Sequence, residues 1–149
     1  MVSLGEAKLA LDNDFLPGDI IFSGVAKSKE DLHAAISQEF FQINVESLSE
    51  LSRIGEIAQS LGKKAYVGLR INPNIKVDTH PYITTGFREN KFGISEDQVR
   101  EALDIIKKYA PWVVLQGVSS HIGSQIRELS PLLDAVQALW RITQTLMKG

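Results

Sequence analysis

Residues 40–71 read FFQINVESLSELSRIGEIAQSLGKKAYVGLRI, which predicts a β-strand, a helix and a second β-strand. Phe40–Val45 and Ala65–Ile71 are nearly continuous in apolar and β-branched residues, as is typical of strands covered on both faces in a parallel sheet. Between them Ser47 and Glu50 form a capping box, an apolar stripe follows at helical spacing, and Gly62 supplies the stop. The stretch therefore predicts a βαβ unit.

The same alternation continues on both sides of this unit. Two further strands are predicted at Asp19–Ser23 and Trp112–Ser119. Helices are predicted from a second capping box at Ser95–Gln98, from the Ser130–Pro131 start signal to the end of the chain, and, on weaker patterns, over 5–13 and 29–38. Repeated βα units predict an α/β fold with a parallel sheet, and periodicity alone fits either a barrel or an open sheet.

The predicted connection from Asn72 to Ile94 is far longer than the others and has no clear periodicity. Loops of that length inside compact domains are usually functional or disordered. This one leaves the carboxyl end of the third predicted strand, where βα enzymes place their chemistry. Its polar residues include His80, Tyr82 and Lys91, and exposure to solvent is the default expectation for His80 and Lys91.

The composition excludes several classes of protein. The chain has 149 residues, a formal net charge of -2 and no cysteine, which excludes a disulfide framework and a thiolate site and gives no sign of a nucleic-acid or membrane-surface partner. No apolar run approaches a membrane span and no secretory leader is visible, so a cytoplasmic protein is expected. The three histidines have no metal-ligand spacing, and no metal site is predicted.

Two groups of residues could carry chemistry. Ser119–Gln125 reads SSHIGSQ directly after a strand, and its small residues would let backbone amides approach an anion closely, although a histidine in a structural turn fits equally well. Arg70 ends an otherwise apolar strand and needs an acidic partner or an anion. Glu6 and Glu46, each just past a strand end, are the candidate partners, and a purely structural ion pair also fits.

Taken together, the segments resemble the barrel domain of the diaminopimelate decarboxylase family of pyridoxal-phosphate enzymes. This family belongs to the alanine-racemase-like class, which also holds ornithine and arginine decarboxylases. The matching segments keep the family's order and spacing, and they are Val2–Glu6, Ile21–Lys27, Ile43–Ser47, Leu69–Pro73, Thr79–Gly86, Lys91–Ile94 and His121–Gln125. The resemblance implies part of a (β/α)₈ TIM barrel, from the end of strand two to the helix after strand six, with residues 1–149 as one fragment of the cofactor-binding domain.

The resemblance also implies roles for individual residues. His121 would stack on the pyridine ring of pyridoxal 5'-phosphate, and Ser124 with the amide of Gly123 would contact its phosphate. Arg70 and Glu6 would form a polar pair on the barrel floor. The loop that carries His80, Tyr82 and Lys91 would cover the substrate.

The departures from the family pattern predict that the chain alone is inactive. The family's Schiff-base lysine lies on a first barrel strand that this sequence lacks, so no catalytic residue is assigned. Lys27 follows a different strand and is rejected for that role. Both ends look cut, since Met1–Ser3 reads as the end of a strand and no strand follows the last helix.

The activity implied is decarboxylation of meso-2,6-diaminopimelate to L-lysine and CO₂ by a homodimeric parent enzyme. A decarboxylase of arginine, ornithine or carboxynorspermidine on the same barrel is the enzymatic alternative. A truncated, non-catalytic binding or structural protein is the other. Because an incomplete barrel leaves unpaired strand edges, the chain is expected to self-associate.

Overall fold

The computed structural model describes residues 1–73, 92–124, 126 and 128–147. The elements are five strands and five helices among these residues. The strands are β1 (Ile21–Phe22), β2 (Gln42–Val45), β3 (Ala65–Asn72), β4 (Ile94–Ser95) and β5 (Val113–Ser119). The helices are α1 (Leu4–Leu11), α2 (Lys29–Ser37), α3 (Leu48–Leu61), α4 (Val99–Lys108) and α5 (Ser130–Leu146).

All strand pairs in the described sheet are parallel. β1 pairs with β2, β2 with β3, and β3 with both β5 and β4. β5 pairs with residues 65–70 of β3, and β4 pairs with the last two residues of that strand. The predicted α/β fold with a parallel sheet is thereby confirmed.

Local sequence accounts for most element boundaries. Ser28 and Asp31 form a reciprocal capping box at the start of α2, and Ser47 accepts from the backbone N–H of Glu50 at the start of α3. Gly62 ends α3 at φ 61°, a conformation that glycine adopts without steric cost. The second predicted capping box, at Ser95, starts a short 3₁₀ turn, and α4 begins only at Val99.

Two strands differ from the sequence prediction. The first predicted strand is shorter, because Pro17–Asp19 forms a 3₁₀ turn in which the Asp19 carboxylate accepts from the backbone N–H of Leu16. β4 was not predicted, since two residues carry no periodicity. Met1 makes two backbone hydrogen bonds beside β1: its amino group donates to the carbonyl of Ile21, and its carbonyl accepts from the N–H of Ser23, the residue after the strand.

The core lies between the sheet and the helices. Alternate residues of β2 and β3 point to the helices and are buried, and so are the facing residues of α3. This buried set includes Ile43, Val45, Val67, Leu69, Ile71, Leu51, Ile54 and Ala58. The other face of the same strands carries a different kind of residue, and it contains the candidate site.

Candidate functional site

The face of the sheet turned away from the helices carries polar side chains, which we call the polar face: Ser23, Gln42, Asn44, Glu46, Arg70, Asn72 and Ser119. They share one face because strand side chains alternate and the registers align β2 with β3 and β3 with β5. Hydrogen bonds join neighbours on this face, from Gln42 to Asn44 at 2.7 Å and from Asn44 to Ser23 at 2.8 Å. A Cβ at residue 68 would meet the side chains of Gln42 and Asn44, so Gly68 leaves these two side chains room for their present positions.

A β-bulge brings Ser119 onto the polar face. Val67 pairs with Leu115, but the next residue of β3, Gly68, pairs with Gly117, so Gln116 is an extra residue in β5. The extra residue reverses the alternation, and Ser119 then pairs with Arg70 and shares its face. Without the bulge this serine would point toward the helices.

Arg70 pairs with Glu46 at the carboxyl end of the sheet. Its Nη1 lies 2.9 Å from Oε1 and 3.0 Å from Oε2 of Glu46. The two side chains are 16% and 6% exposed. Of the two partners that the residues themselves suggested, the structure therefore selects Glu46, whose backbone follows β2 directly beside β3.

The expected pairing of Arg70 with Glu6 is wrong. Glu6 is exposed, and its carboxylate accepts a 2.7 Å hydrogen bond from the backbone N–H of Val2. Its position in the first turn of α1 explains this, because an acidic side chain there satisfies free N–H groups at the start of its own helix. A role for Glu6 in cofactor binding remains a prediction.

The turn that follows β5 lies at the same end of the sheet as Arg70. His121 comes two residues after Ser119, the residue paired with Arg70, and its side chain is exposed. Gly123 has φ 115°, which side chains rarely tolerate, and Ser124 is exposed. The structure thus brings His121, Gly123 and Ser124 to the end of the sheet that carries the Arg70–Glu46 pair.

Two buried hydroxyls in this region have no partner among the described residues. The Oγ atoms of Ser119 and Ser120 are inaccessible to solvent and make no hydrogen bond with any described residue. Buried polar atoms are nearly always hydrogen-bonded in complete structures. These serines belong to the SSHIGSQ cluster but were given no role by the sequence, since nothing local indicates that their hydroxyls are buried.

Lys27 lies beside this site in a buried ion pair. Its Nζ is 2.7 Å from Oε1 of Glu50 and also donates to the carbonyl oxygen of Gly24, and its side chain is 0% exposed. The sequence assigned Glu50 only a capping role. The sequence holds one signal of this pair: the lysine comes a few residues after an apolar strand and directly before a serine that can cap a helix.

The three residues of the predicted substrate loop, His80, Tyr82 and Lys91, lie outside the described residues, as does Gln125. The residues that flank segment 74–91 are described: Ile71 pairs with Ile94 and Asn72 with Ser95. Gly93, at φ 96°, packs so closely that a Cβ would lie 2.9 Å from the carbonyl oxygen of Arg70. Both ends of that segment therefore meet the sheet next to Arg70.

Neither a metal cluster nor a membrane-spanning helix is found in the described part of the chain. No three His, Asp or Glu side chains in those ranges are grouped so that they could hold a metal ion. No helix there is both long and apolar enough to cross a bilayer.

Comparison with known proteins assigns the fold and site to a class. The family model described as "Pyridoxal-dependent decarboxylase, pyridoxal binding domain" matches residues 1–148. The chain therefore belongs to the pyridoxal-dependent decarboxylases, within their pyridoxal-binding domain, and its parallel sheet with helices is part of that class's (β/α)₈ barrel.

Within that class the chain is similar to diaminopimelate decarboxylases. It is 44% identical over 146 residues to the Helicobacter pylori diaminopimelate decarboxylase and 43% identical over 139 residues to the Haemophilus influenzae one. These matches cover 98% and 93% of this chain but 36% and 33% of the relatives, so the chain spans about a third of their length.

Solved structures give the same result. A crystal structure of the Helicobacter pylori diaminopimelate decarboxylase complexed with L-lysine matches 99% of this chain and 37% of its own, at 44% identity and a TM-score of 0.88. The arginine decarboxylase of Paramecium bursaria Chlorella virus matches at 25% identity and a TM-score of 0.80. The predicted resemblance to the diaminopimelate decarboxylase family is confirmed.

Proposed function

We propose that the chain forms the cofactor-binding part of a decarboxylase that converts meso-2,6-diaminopimelate to L-lysine and CO₂. In this reaction the bond between an α-carbon and its carboxylate carbon breaks, the carboxylate leaves as CO₂, and a proton takes its place on the α-carbon. One observation carries the proposal: an exposed histidine turn, an arginine–glutamate pair and two buried hydroxyls with no partner in the described part of the chain share one carboxyl end of a parallel sheet. The chain belongs to the pyridoxal-binding domain of its class, and barrel enzymes carry their active sites at this end of the strands, which supports the proposal.

The residues at this end of the sheet fit pyridoxal 5'-phosphate. The Ser119 and Ser120 hydroxyls are buried and need partners, which a polar cofactor beside them would supply. We assign His121 to the pyridine ring by stacking, and Ser124 with the amide of Gly123 to the phosphate. When bound, the cofactor acts as the electron sink for decarboxylation.

The chain's own residues bind and orient, and we assign none of them to the bond-breaking step. The Arg70–Glu46 pair supplies a fixed polar floor next to the histidine turn. Lys27 is unsuited to hold the cofactor covalently, because its ammonium group is fully buried against Glu50 and Gly24. We therefore propose that residues 1–149 form one fragment of the barrel domain and are inactive on their own.

The degree of similarity favours diaminopimelate as the substrate. Identity is 44% to the Helicobacter pylori diaminopimelate decarboxylase but 25% to the viral arginine decarboxylase, over nearly the same share of this chain. An arginine-, ornithine- or carboxynorspermidine-type activity is the alternative on the same barrel. We further propose a cytoplasmic, homodimeric parent enzyme and self-association of the isolated chain through its open strand edges.

A chimera tests the proposed activity. The matching segment of the Helicobacter pylori enzyme is replaced by this chain, and CO₂ and lysine are measured with meso-diaminopimelate, arginine and ornithine as substrates. We expect the chimera to decarboxylate diaminopimelate at a rate within about tenfold of the parent, because the chain is 44% identical to the Helicobacter pylori enzyme over the segment that it replaces and the rest of that enzyme is retained. The isolated chain should release no CO₂.

Two results would contradict the proposal. A folded chimera that prefers arginine or ornithine would overturn the substrate, and one that binds no pyridoxal phosphate would overturn the site. The isolated chain is also mixed with pyridoxal phosphate and borohydride, and a stoichiometric adduct on Lys27 would overturn our rejection of that residue.

A further inference from the structure

We infer that Glu50, held by Lys27, is a positioning residue that fixes Glu46 so that its carboxylate meets Arg70. The chain of contacts runs from Lys27, which follows β1, through Glu50 in the first turn of α3, to Glu46 and Arg70 at the ends of β2 and β3. The test of this inference by cofactor affinity rests on the proposed function, whereas its test by the hydrogen-exchange rate of Arg70 does not.

The Lys27–Glu50 pair is the buried end of this chain of contacts. The Lys27 ammonium lies 2.7 Å from Oε1 of Glu50, donates to the carbonyl of Gly24 and sits 5.8 Å from the centre of the Phe22 ring. The two side chains are 0% and 9% exposed. Because the Lys27 ammonium is shielded from solvent, it can donate only to protein groups, and its ion pair holds the Glu50 side chain in one place.

Glu50 uses its second oxygen to hold the backbone of β2. Its Oε2 accepts a 2.7 Å hydrogen bond from the backbone N–H of Glu46. An ordinary capping box would send this side chain to the N–H of Ser47, the N-cap residue. Here Glu50 instead accepts from Glu46, the residue whose own carboxylate pairs with Arg70.

Glu46 connects this backbone hydrogen bond to the candidate site. Its N–H is held by Glu50, and both of its side-chain oxygens lie within 3.0 Å of the Arg70 Nη1. A shift of the Glu46 backbone would move the carboxylate away from a guanidinium that is only 16% exposed. The orientation of Arg70 at the candidate site thus depends on a hydrogen-bond acceptor at position 50, a residue to which we assign no contact with the cofactor.

Two double variants separate positioning from simple stabilisation. Lys27→Met with Glu50→Gln and Lys27→Met with Glu50→Leu both remove the buried charges, but only glutamine keeps an acceptor for the Glu46 N–H. In the isolated chain, the hydrogen-exchange rate of the Arg70 guanidinium is followed by NMR, with Arg70→Lys to assign the signal. Affinity for pyridoxal phosphate is measured in the chimera by absorbance.

We expect the glutamine variant to keep the Arg70 exchange rate and the cofactor affinity within about threefold of wild type. The leucine variant should exchange at least about tenfold faster and bind the cofactor about tenfold more weakly, because one hydrogen bond that orients a contacting group is lost. Equal exchange rates in the two variants, whether both slow or both fast, would overturn the inference.

Another double variant covers the case in which the leucine variant does not fold. Lys27→Met with Glu50→Met also removes the buried charges and the acceptor but matches glutamine in length, so its Arg70 exchange rate should again exceed that of the glutamine variant about tenfold, and equal rates would overturn the inference. A chimera that binds no pyridoxal phosphate while the exchange rates separate as expected would count against the proposed function and leave the positioning role standing.

Discussion

Replacing Lys27 with methionine is expected to lower the free energy of unfolding of the chain by about 3–5 kcal/mol. The substitution removes the ammonium group but leaves the Glu50 carboxylate only 9% exposed, with no counter-charge. An unpaired buried charge is among the most costly defects in a folded protein. Because domains are stable by about 5–15 kcal/mol in total, this single change removes a large share of the stability.

Urea unfolding of the two proteins, followed by circular dichroism, measures the difference. Lys29→Met is the matched control, since Lys29 is exposed at the start of α2 and forms no ion pair in the described structure. The control should change the unfolding free energy by less than about 0.5 kcal/mol. Equal losses in the two variants would show that Lys27 is not held in a buried pair.

Replacing His121 with alanine should weaken binding of pyridoxal phosphate to the chimera about 10- to 100-fold. The exposed ring at the carboxyl end of β5 is the flat surface that we assign to the pyridine. Stacking of an aromatic side chain on a heteroaromatic ring contributes about 1–3 kcal/mol, which corresponds to this range of affinity. Titration of the cofactor's absorbance band gives the dissociation constant directly.

Two further histidine variants keep this test specific. His121→Phe preserves a flat ring and should recover most of the affinity, since stacking requires a π surface rather than a charge. His33→Ala removes an exposed histidine from α2 and should leave the affinity unchanged. If His33→Ala and His121→Ala weaken binding equally, His121 has no special contact with the cofactor.

Much of this fold could be predicted from local sequence because its signals are strong and local. The apolar runs predict β2, β3 and β5, and the serine cap with the glycine stop predicts α3, nearly at the observed bounds. β4 escaped prediction because a two-residue strand is defined by its partner, Ile71–Asn72, and not by its own pattern.

The candidate site could be predicted only in part. The residues on the strand ends were found, because parallel strands bring their carboxyl ends to one edge. The partner of Arg70 and the burial of Lys27 depend on register and on neighbouring elements, which the sequence does not display. The bulge at Gln116 is the clearest case, since one extra residue decides which face Ser119 occupies.

A crystal structure of the chimera with pyridoxal phosphate tests the central claim most directly. We predict that the pyridine ring lies against the His121 ring, with the phosphate within hydrogen-bond distance of the Ser124 hydroxyl or the Gly123 amide and the Arg70–Glu46 pair intact beside it. Cofactor bound elsewhere, or bound here with His121 turned into solvent and Ser124 out of reach, would contradict the account.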